Sequence, residues 1–343
     1  MTEYVVNLKD RRAINAERFG AKAANQAMLG HAGLPIPQGF SLDAAAYRRQ
    51  LEAIGLLDLS KSVDRLSGED QRRAVSEVRI GLFDSLISPD IEQPLLSAWR
   101  DLCETTGSKT VVRSSSLTED LADSTFAGQY ETFLGLNNEA DLLTAVRACW
   151  AALWSPRALR YMEGRNLKTK DMGMGLCIQE LVGGLMSGGG MSRVVDGNML
   201  ISASWGLGTA IAQGEVVPDR YILDRDGVVL ETVTGRTLHR QGCALHARMS
   251  TRVEEGALQP CLSEAEASEL GRLLSCAEQH MGFPVEIEWT GNEQRRWLLQ
   301  ARPLQMENLN SVAPDPGKNS GIRGQPSGVG WATGRACVIN CAC

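Results

Sequence analysis

The apolar positions of this chain follow one period in its first third and another later. Up to about residue 100 they recur at helical spacing. Lys22 to His31 is rich in alanine, and Leu42 to Ile54 and Gln71 to Ile87 place apolar side chains on one face of a helix. Gly33 stands where a helix C-cap glycine belongs, and Leu34-Pro35-Ile36-Pro37 then forces an extended exit. Lys109 to Arg113 is rich in β-branched residues and predicts a short strand. Glu139 to Glu163 predicts one long helix or two, broken at Pro156.

The middle of the chain reads differently. Leu176 to Val182 predicts an apolar strand, and Gly183-Gly184 with Ser187-Gly188-Gly189-Gly190 predicts a glycine-rich loop. Asp219 to Val233 predicts a hairpin turning at Asp226-Gly227. Ser263-Glu264-Ala265-Glu266 is a capping box that opens a helix running to about Met281. Val285 to Trp289 and Trp297 to Ala301 predict two strands around a polar turn. Beyond Pro303, Asn308 to Gln325 has the Asn, Ser, Pro and Gly content of a linker.

Length and composition narrow the class. The 343 residues suggest about two domains, and 43% hydrophobic with 22% charged residues is ordinary for a globular protein with a substantial core. A net charge of -6 argues against a broad basic surface for nucleic acid. No apolar run reaches the roughly 20 residues of a membrane helix, so no membrane partner is expected. The N-terminus lacks the basic-then-apolar pattern of a secretory leader. Nine cysteines without a CxxC pair read as reduced thiols, which points to the cytoplasm.

Strand alternation brings the most informative polar residues together. Val285, Ile287 and Trp289 point one way, and Glu286 and Glu288 the other. On the following strand Trp297, Leu299 and Ala301 form the apolar face, with Leu298, Gln300 and Arg302 opposite. Pairing apolar with apolar gathers Glu286, Glu288, Gln300 and Arg302 on one surface. Carboxylate and amide oxygens there suit Mg²⁺, and an adjacent arginine suits phosphate. On spacing alone the same surface also fits a solvated face with an internal ion pair.

Two further stretches suit anions. Gly20-Ala21-Lys22-Ala23-Ala24-Asn25 puts a lysine in the first turn of a helix, without the spacing of a P-loop. Arg113-Ser114-Ser115-Ser116 puts an arginine and three hydroxyls at a strand end, followed by Phe126-Ala127-Gly128-Gln129-Tyr130-Glu131-Thr132. Either an ordinary polar turn or a loop folding over a ligand fits that local pattern.

Taken in order, these segments resemble the ATP-binding domain of the pyruvate phosphate dikinase and phosphoenolpyruvate synthase family, which rifampicin phosphotransferase and phenylphosphate synthase share. Four motifs carry the resemblance over roughly residues 11–305. They are Gly20–Asn25 with Ala32–Phe40, Val112–Ser115 through Phe126–Gln129, Ala203–Gly208 with Pro218–Tyr221, and Ile287-Glu288-Trp289 with Leu299–Pro303.

The resemblance implies an α+β, ATP-grasp-like fold whose two lobes clamp ATP. The expected organisation is an N-terminal lobe over 1–110, an ATP-grasp lobe over 111–305, and a linker with the start of a swivelling phosphohistidine domain over 306–343. It implies that Lys22 and Arg113 contact phosphates and that Gly128 and Thr132 belong to a loop over the nucleotide. Gln179, Glu180 and Val182 would meet the adenine. Glu288 and Gln300 would hold Mg²⁺, and Arg302 would neutralise the transferred phosphates.

The implied reaction moves phosphate from ATP to a catalytic histidine and releases AMP and phosphate. That histidine is expected on a partner subunit or a further domain. A regulatory ATP-binding module and an ADP-forming ligase or small-molecule kinase are the alternatives. The sequence also departs from the family pattern: Ser202 and Thr209 stand where glutamates are common, Glu286 replaces a common aspartate, and the segment 187–198 is short.

Overall fold

The computed structural model describes residues 3–118, 132–194, 196–206, 216–235, 239–240, 251–252 and 260–304. The expected linker and swivelling segment over 306–343 lies outside them. The described residues form an α+β structure in two compact units. One unit takes in the chain up to His31 together with Pro37–Val182, and the other holds Ala32–Ile36 and the described chain from Gly183 onward.

The first unit is built on a five-stranded antiparallel sheet. Its strands are β1 (Val5–Asn7), β2 (Gly39–Leu42), β3 (Thr110–Ser116), β4 (Thr132–Leu136) and β5 (Met174–Glu180), in the order β1-β2-β5-β3-β4. The expected boundary after residue 110 would cut β3 out of the middle of this sheet, and the contacts divide the chain after Val182 instead. Leu42, expected in a helix, ends β2.

The helices of this unit follow from local capping. They are α1 (Ala16–Phe19), α2 (Ala21–His31), α3 (Ala44–Ala53), α4 (Leu57–Ser62), α5 (Gly68–Asp84), α6 (Pro89–Thr106), α7 (Glu139–Ala152) and α8 (Pro156–Gly164). Asp43 caps α3, and Asn138 caps α7. Ser155 caps α8, whose first residue is Pro156, so the break expected there separates two helices. One face of the sheet, with Phe40, Leu42, Val112, Phe133, Leu176 and Ile178, joins Trp99, Trp150 and Trp154 in a single core. Two of those tryptophans satisfy their buried N–H groups there: Trp99 donates to Thr110 Oγ1 at 2.8 Å and Trp154 to the Tyr47 hydroxyl at 2.9 Å. The first turns of α2 pack on the opposite face.

The second unit is a six-stranded antiparallel sheet covered on one face by a long helix. The strands are β6 (Met186–Met191), β7 (Met199–Trp205), β8 (Asp219–Leu223) and β9 (Val229–Val233), then, beyond the separate pair β10 (His239–Arg240) and β11 (Thr251–Arg252), β12 (Val285–Gly291) and β13 (Arg296–Pro303). The sheet order is β13-β12-β6-β7-β8-β9. Helix α9 (Glu264–Met281) starts at the Ser263 capping box and stops at Gly282 in the left-handed region. It packs on β7 and β12, over a layer that includes Ile201, Tyr221, Leu223, Ile287 and Trp289. The β8–β9 turn is longer than two residues. The Asp224 carboxylate accepts from the N–H groups of Asp226 and Val228, and Gly227 takes φ +85°.

The glycine run at 188–190 is not a loop. It lies inside β6, between β12 and β7, and most of that strand is buried. A Cβ on Gly188 would stand 1.8 Å from the Ser202 carbonyl oxygen and 3.0 Å from Trp289 Nε1. The glycine is there for close packing against a tryptophan, not for a turn.

Candidate functional site

The β12–β13 hairpin pairs Glu286 with Arg302 and Glu288 with Gln300 directly across the strands. Paired residues share a face, so the four polar side chains stand on one surface, away from α9. The apolar side differs from the sequence reading. A β-bulge follows Glu288, and beyond it Trp289 pairs with Leu298 rather than with Leu299. Leu298 and Ala301 are therefore the buried apolar residues of β13, while Trp297 and Leu299 are only half-buried. The bulge also leaves Trp297 on the polar side.

The two carboxylates on this surface do different work. Glu286 is 5% exposed, and its Oε2 accepts from both Nε (2.9 Å) and Nη2 (2.8 Å) of Arg302. Burial pushes the Glu286 carboxyl above its usual range, against the pull of the Arg302 guanidinium. Those two bonds fix one edge of the guanidinium, which has five donors in all. Glu288, two residues on, is exposed. An exposed carboxylate directly opposite an amide oxygen suits a hard cation.

The first unit carries the second group of residues. Arg113 on β3 pairs with Thr132 on β4 and with Cys177 on β5, so the three share the face on which α2 packs. Burial pushes the Cys177 thiol up to about 12 despite the nearby Arg113 charge, which keeps it neutral. Ser115, two residues along the same face, does not point at a ligand. Its Oγ accepts the buried N–H of Ala23 at 3.0 Å and so caps the first turn of α2 from 92 residues away. Gly20, at φ +77°, makes room: a Cβ there would lie 2.2 Å from the Ser115 carbonyl oxygen. Lys22 sits in that capped turn, half-buried. Ser115 thus positions the turn that carries Lys22, where the sequence pattern alone leaves a polar turn and a ligand-binding loop both open. Ser116 is likewise bonded to Thr118, at 3.0 Å.

Gln179 and Glu180 close β5, with Val182 just beyond. Gln179 is buried and donates from Nε2 to the Pro37 carbonyl at 3.2 Å. The Glu180 carboxylate accepts from Gln38 N–H at 2.8 Å, while Glu180 N–H donates to the Gln38 carbonyl at 2.9 Å. Both side chains thus lock the extended exit from α2 onto the sheet. Lys22, Arg113, Thr132, Gln179, Glu180 and Val182 belong to the first unit, and Glu288, Gln300 and Arg302 to the second. Gly128 and Thr209 lie outside the described residues. Among the described residues no helix is long and apolar enough to cross a membrane, and no three His, Cys, Asp or Glu side chains converge as a metal cage.

The chain is similar to known proteins over most of its length. The family described as "Pyruvate phosphate dikinase, AMP/ATP-binding domain" matches residues 16–319. A probable phosphoenolpyruvate synthase of Methanothermobacter thermautotrophicus is 28% identical, over 99% of this chain and 52% of its own length. The uncharacterized phosphotransferase YvkC of Bacillus subtilis is 32% identical over 84% of this chain and 34% of its own. The prodigiosin synthesizing transferase PigC of Serratia marcescens is 31% identical over 88% of this chain and 33% of its own. The chain spans about half the length of these relatives, or less.

Proposed function

Because the chain belongs to the pyruvate phosphate dikinase AMP/ATP-binding domain family, we propose that it is the ATP-binding component of a dikinase-type phosphotransferase with an ATP-grasp-like fold. In this reading phosphate passes from ATP to a histidine on a partner subunit or further domain, with AMP and phosphate released. One water enters the balance: ATP, histidine and water give phosphohistidine, AMP and phosphate. The relatives' greater length supports a carrier elsewhere, as does the likeness of 306–343 to the start of a swivelling domain.

The observation that carries the proposal is the Glu288–Gln300 pair standing beside the Glu286–Arg302 pair on one surface. Mg²⁺ fits that donor set: it prefers one or two protein oxygens and takes its remaining ligands from phosphates and water. When bound it would offset the negative charge of the phosphates. Arg302, its orientation fixed by Glu286, would add directed hydrogen bonds to the transferred phosphate. Lys22 and Arg113 would bind phosphate oxygens from the first unit, with Gly128 and Thr132 covering the nucleotide. Since the Gln179 and Glu180 side chains already bond to Pro37 and Gln38, and the N–H groups of Glu180 and Leu181 to the carbonyls of Gln38 and Lys109, adenine recognition in this reading falls largely to the backbone of Val182 and the carbonyls just before it. The buried cysteines Cys149, Cys177 and Cys261, none in a disulfide, fit a reducing cytoplasm.

Product analysis tests the proposal. The chain is incubated with ATP and Mg²⁺, with and without a histidine-bearing swivelling domain from a relative, and the nucleotides are separated. AMP formed only with the added domain is expected. ADP as first product, or rapid AMP from the chain alone, would overturn the histidine reading.

A further inference from the structure

The strand registers align one continuous row across the second unit's sheet: Gln300 on β13, Glu288 on β12, Gly189 on β6, Ser202 on β7 and Arg220 on β8. Arg220 is exposed, and its strand neighbours show which way it faces. The Asp219 carboxylate accepts from Gly235 N–H and Cys261 N–H, both at 2.7 Å. The Tyr221 hydroxyl bonds to both the N–H and the carbonyl of Leu262. Those two side chains lie on the α9 side and hold the chain that leads into α9. Alternation puts Arg220 on the other side, the side of Glu288 and Gln300.

The rows on either side of this one are occupied differently. On one, the Ser187 hydroxyl donates to the Gly206 carbonyl at 2.6 Å and Thr290 to the Met186 carbonyl at 3.1 Å. On the other, Arg302 and Glu286 bond to each other at one end, and beyond them Met191, Leu200 and Ile222 pack with Leu304. Only the middle row has a carboxylate–amide pair at one end and a cation at the other. The residues separating them, Gly189 and Ser202, are the smallest available. Three strand spacings make the backbone separation about 14 Å. An arginine leaning along the row shortens that to a distance a polyphosphate chain can bridge.

We propose that Arg220 is a phosphate-contacting residue: it binds the terminal phosphate of the ATP whose Mg²⁺ is held by Glu288 and Gln300. The inference rests on the ATP reading above and adds a second arginine to the same surface, on the opposite flank from Arg302. It also gives the row its polarity, with the cation site at one end and a guanidinium for the far phosphate at the other.

Titration calorimetry of the wild-type chain, Arg220→Gln and Arg220→Lys with ATP plus Mg²⁺, and separately with AMP, tests it. AMP lacks the phosphates in question. Arg220→Gln is expected to weaken ATP about tenfold and leave AMP unchanged, as loss of one charge-assisted bond implies. Arg220→Lys should fall in between. Equal ATP affinity in the wild type and Arg220→Gln would overturn the inference and leave the ATP reading intact. Parallel loss of ATP and AMP would assign Arg220 a structural role and also overturn it. A wild-type chain that binds neither nucleotide would overturn the ATP reading itself.

Discussion

Replacing Gly188 with alanine tests the central strand on which the site rests. The added Cβ would meet the Ser202 carbonyl oxygen at 1.8 Å, where ordinary contacts begin near 3.4 Å. That oxygen belongs to the backbone of β7, so no side-chain rotation relieves the clash. β6 and β7 must therefore separate by more than an ångström, and Trp289, whose Nε1 would stand 3.0 Å from the added Cβ, is pressed away from its bond to the Gly189 carbonyl at 3.3 Å. Overpacking of this kind costs about 1–3 kcal/mol, occasionally more, and a rigid backbone neighbour puts it at the upper end, about 3 kcal/mol. For a unit of this size that lowers the melting temperature by roughly 6–12 °C. Gly164, the last residue of α8, is the control: nothing lies within 4 Å of its Cβ position, so Gly164→Ala should be neutral or stabilise by up to about 1 kcal/mol. Thermal unfolding of both variants beside the wild type is the assay. A Gly188→Ala variant as stable as the wild type would refute the placement of 187–190 inside the sheet.

Other expectations follow from the same packing. Leu298→Ala should cost about 2–5 kcal/mol and Leu299→Ala about 1 kcal/mol or less in urea unfolding, because the bulge buries only the first. Ser115→Ala should cost about 1–2 kcal/mol, since it leaves the buried Ala23 N–H without its acceptor. Stability should also depend on pH with two signs. Burial pushes the Glu278 carboxyl up, but bonds from Ser192, Arg225 and Arg193 outweigh it and hold it below the usual 4.5. Its contribution is present above 4.5 and lost as pH falls through the folded value, so Glu278→Gln should flatten the acid side of the urea-midpoint profile. Glu286 is raised instead. Its contribution is present below 4.5 and lost as pH rises through the folded value, so Glu286→Gln should gain on the wild type as pH rises.

Local signals made much of this fold legible. The Ser263 capping box, the Pro156 break and the alternation around Glu286 and Glu288 each act within a few residues, and each element formed where the pattern places it. The polar face of the hairpin was readable because period two survives up to the bulge. The bulge itself was not, because Trp297, Leu298 and Leu299 are consecutive apolar residues and nothing local says which one slips. The 188–190 run read as a loop because glycine's local preference is for turns, while its reason here is a tryptophan 100 residues away. The role of Ser115 is hidden for the same reason: its partner, Ala23, is remote in sequence. The division after Val182 depends on β3 pairing with β5, another long-range fact.

The most direct test of the account is the magnesium dependence of ATP binding in the wild type and in Glu288→Gln. Calorimetry with and without Mg²⁺, with AMP as the control ligand, gives the answer. The account predicts that Mg²⁺ strengthens ATP binding to the wild type, and that Glu288→Gln loses this gain while binding AMP unchanged. An undiminished gain from Mg²⁺ in Glu288→Gln would contradict it.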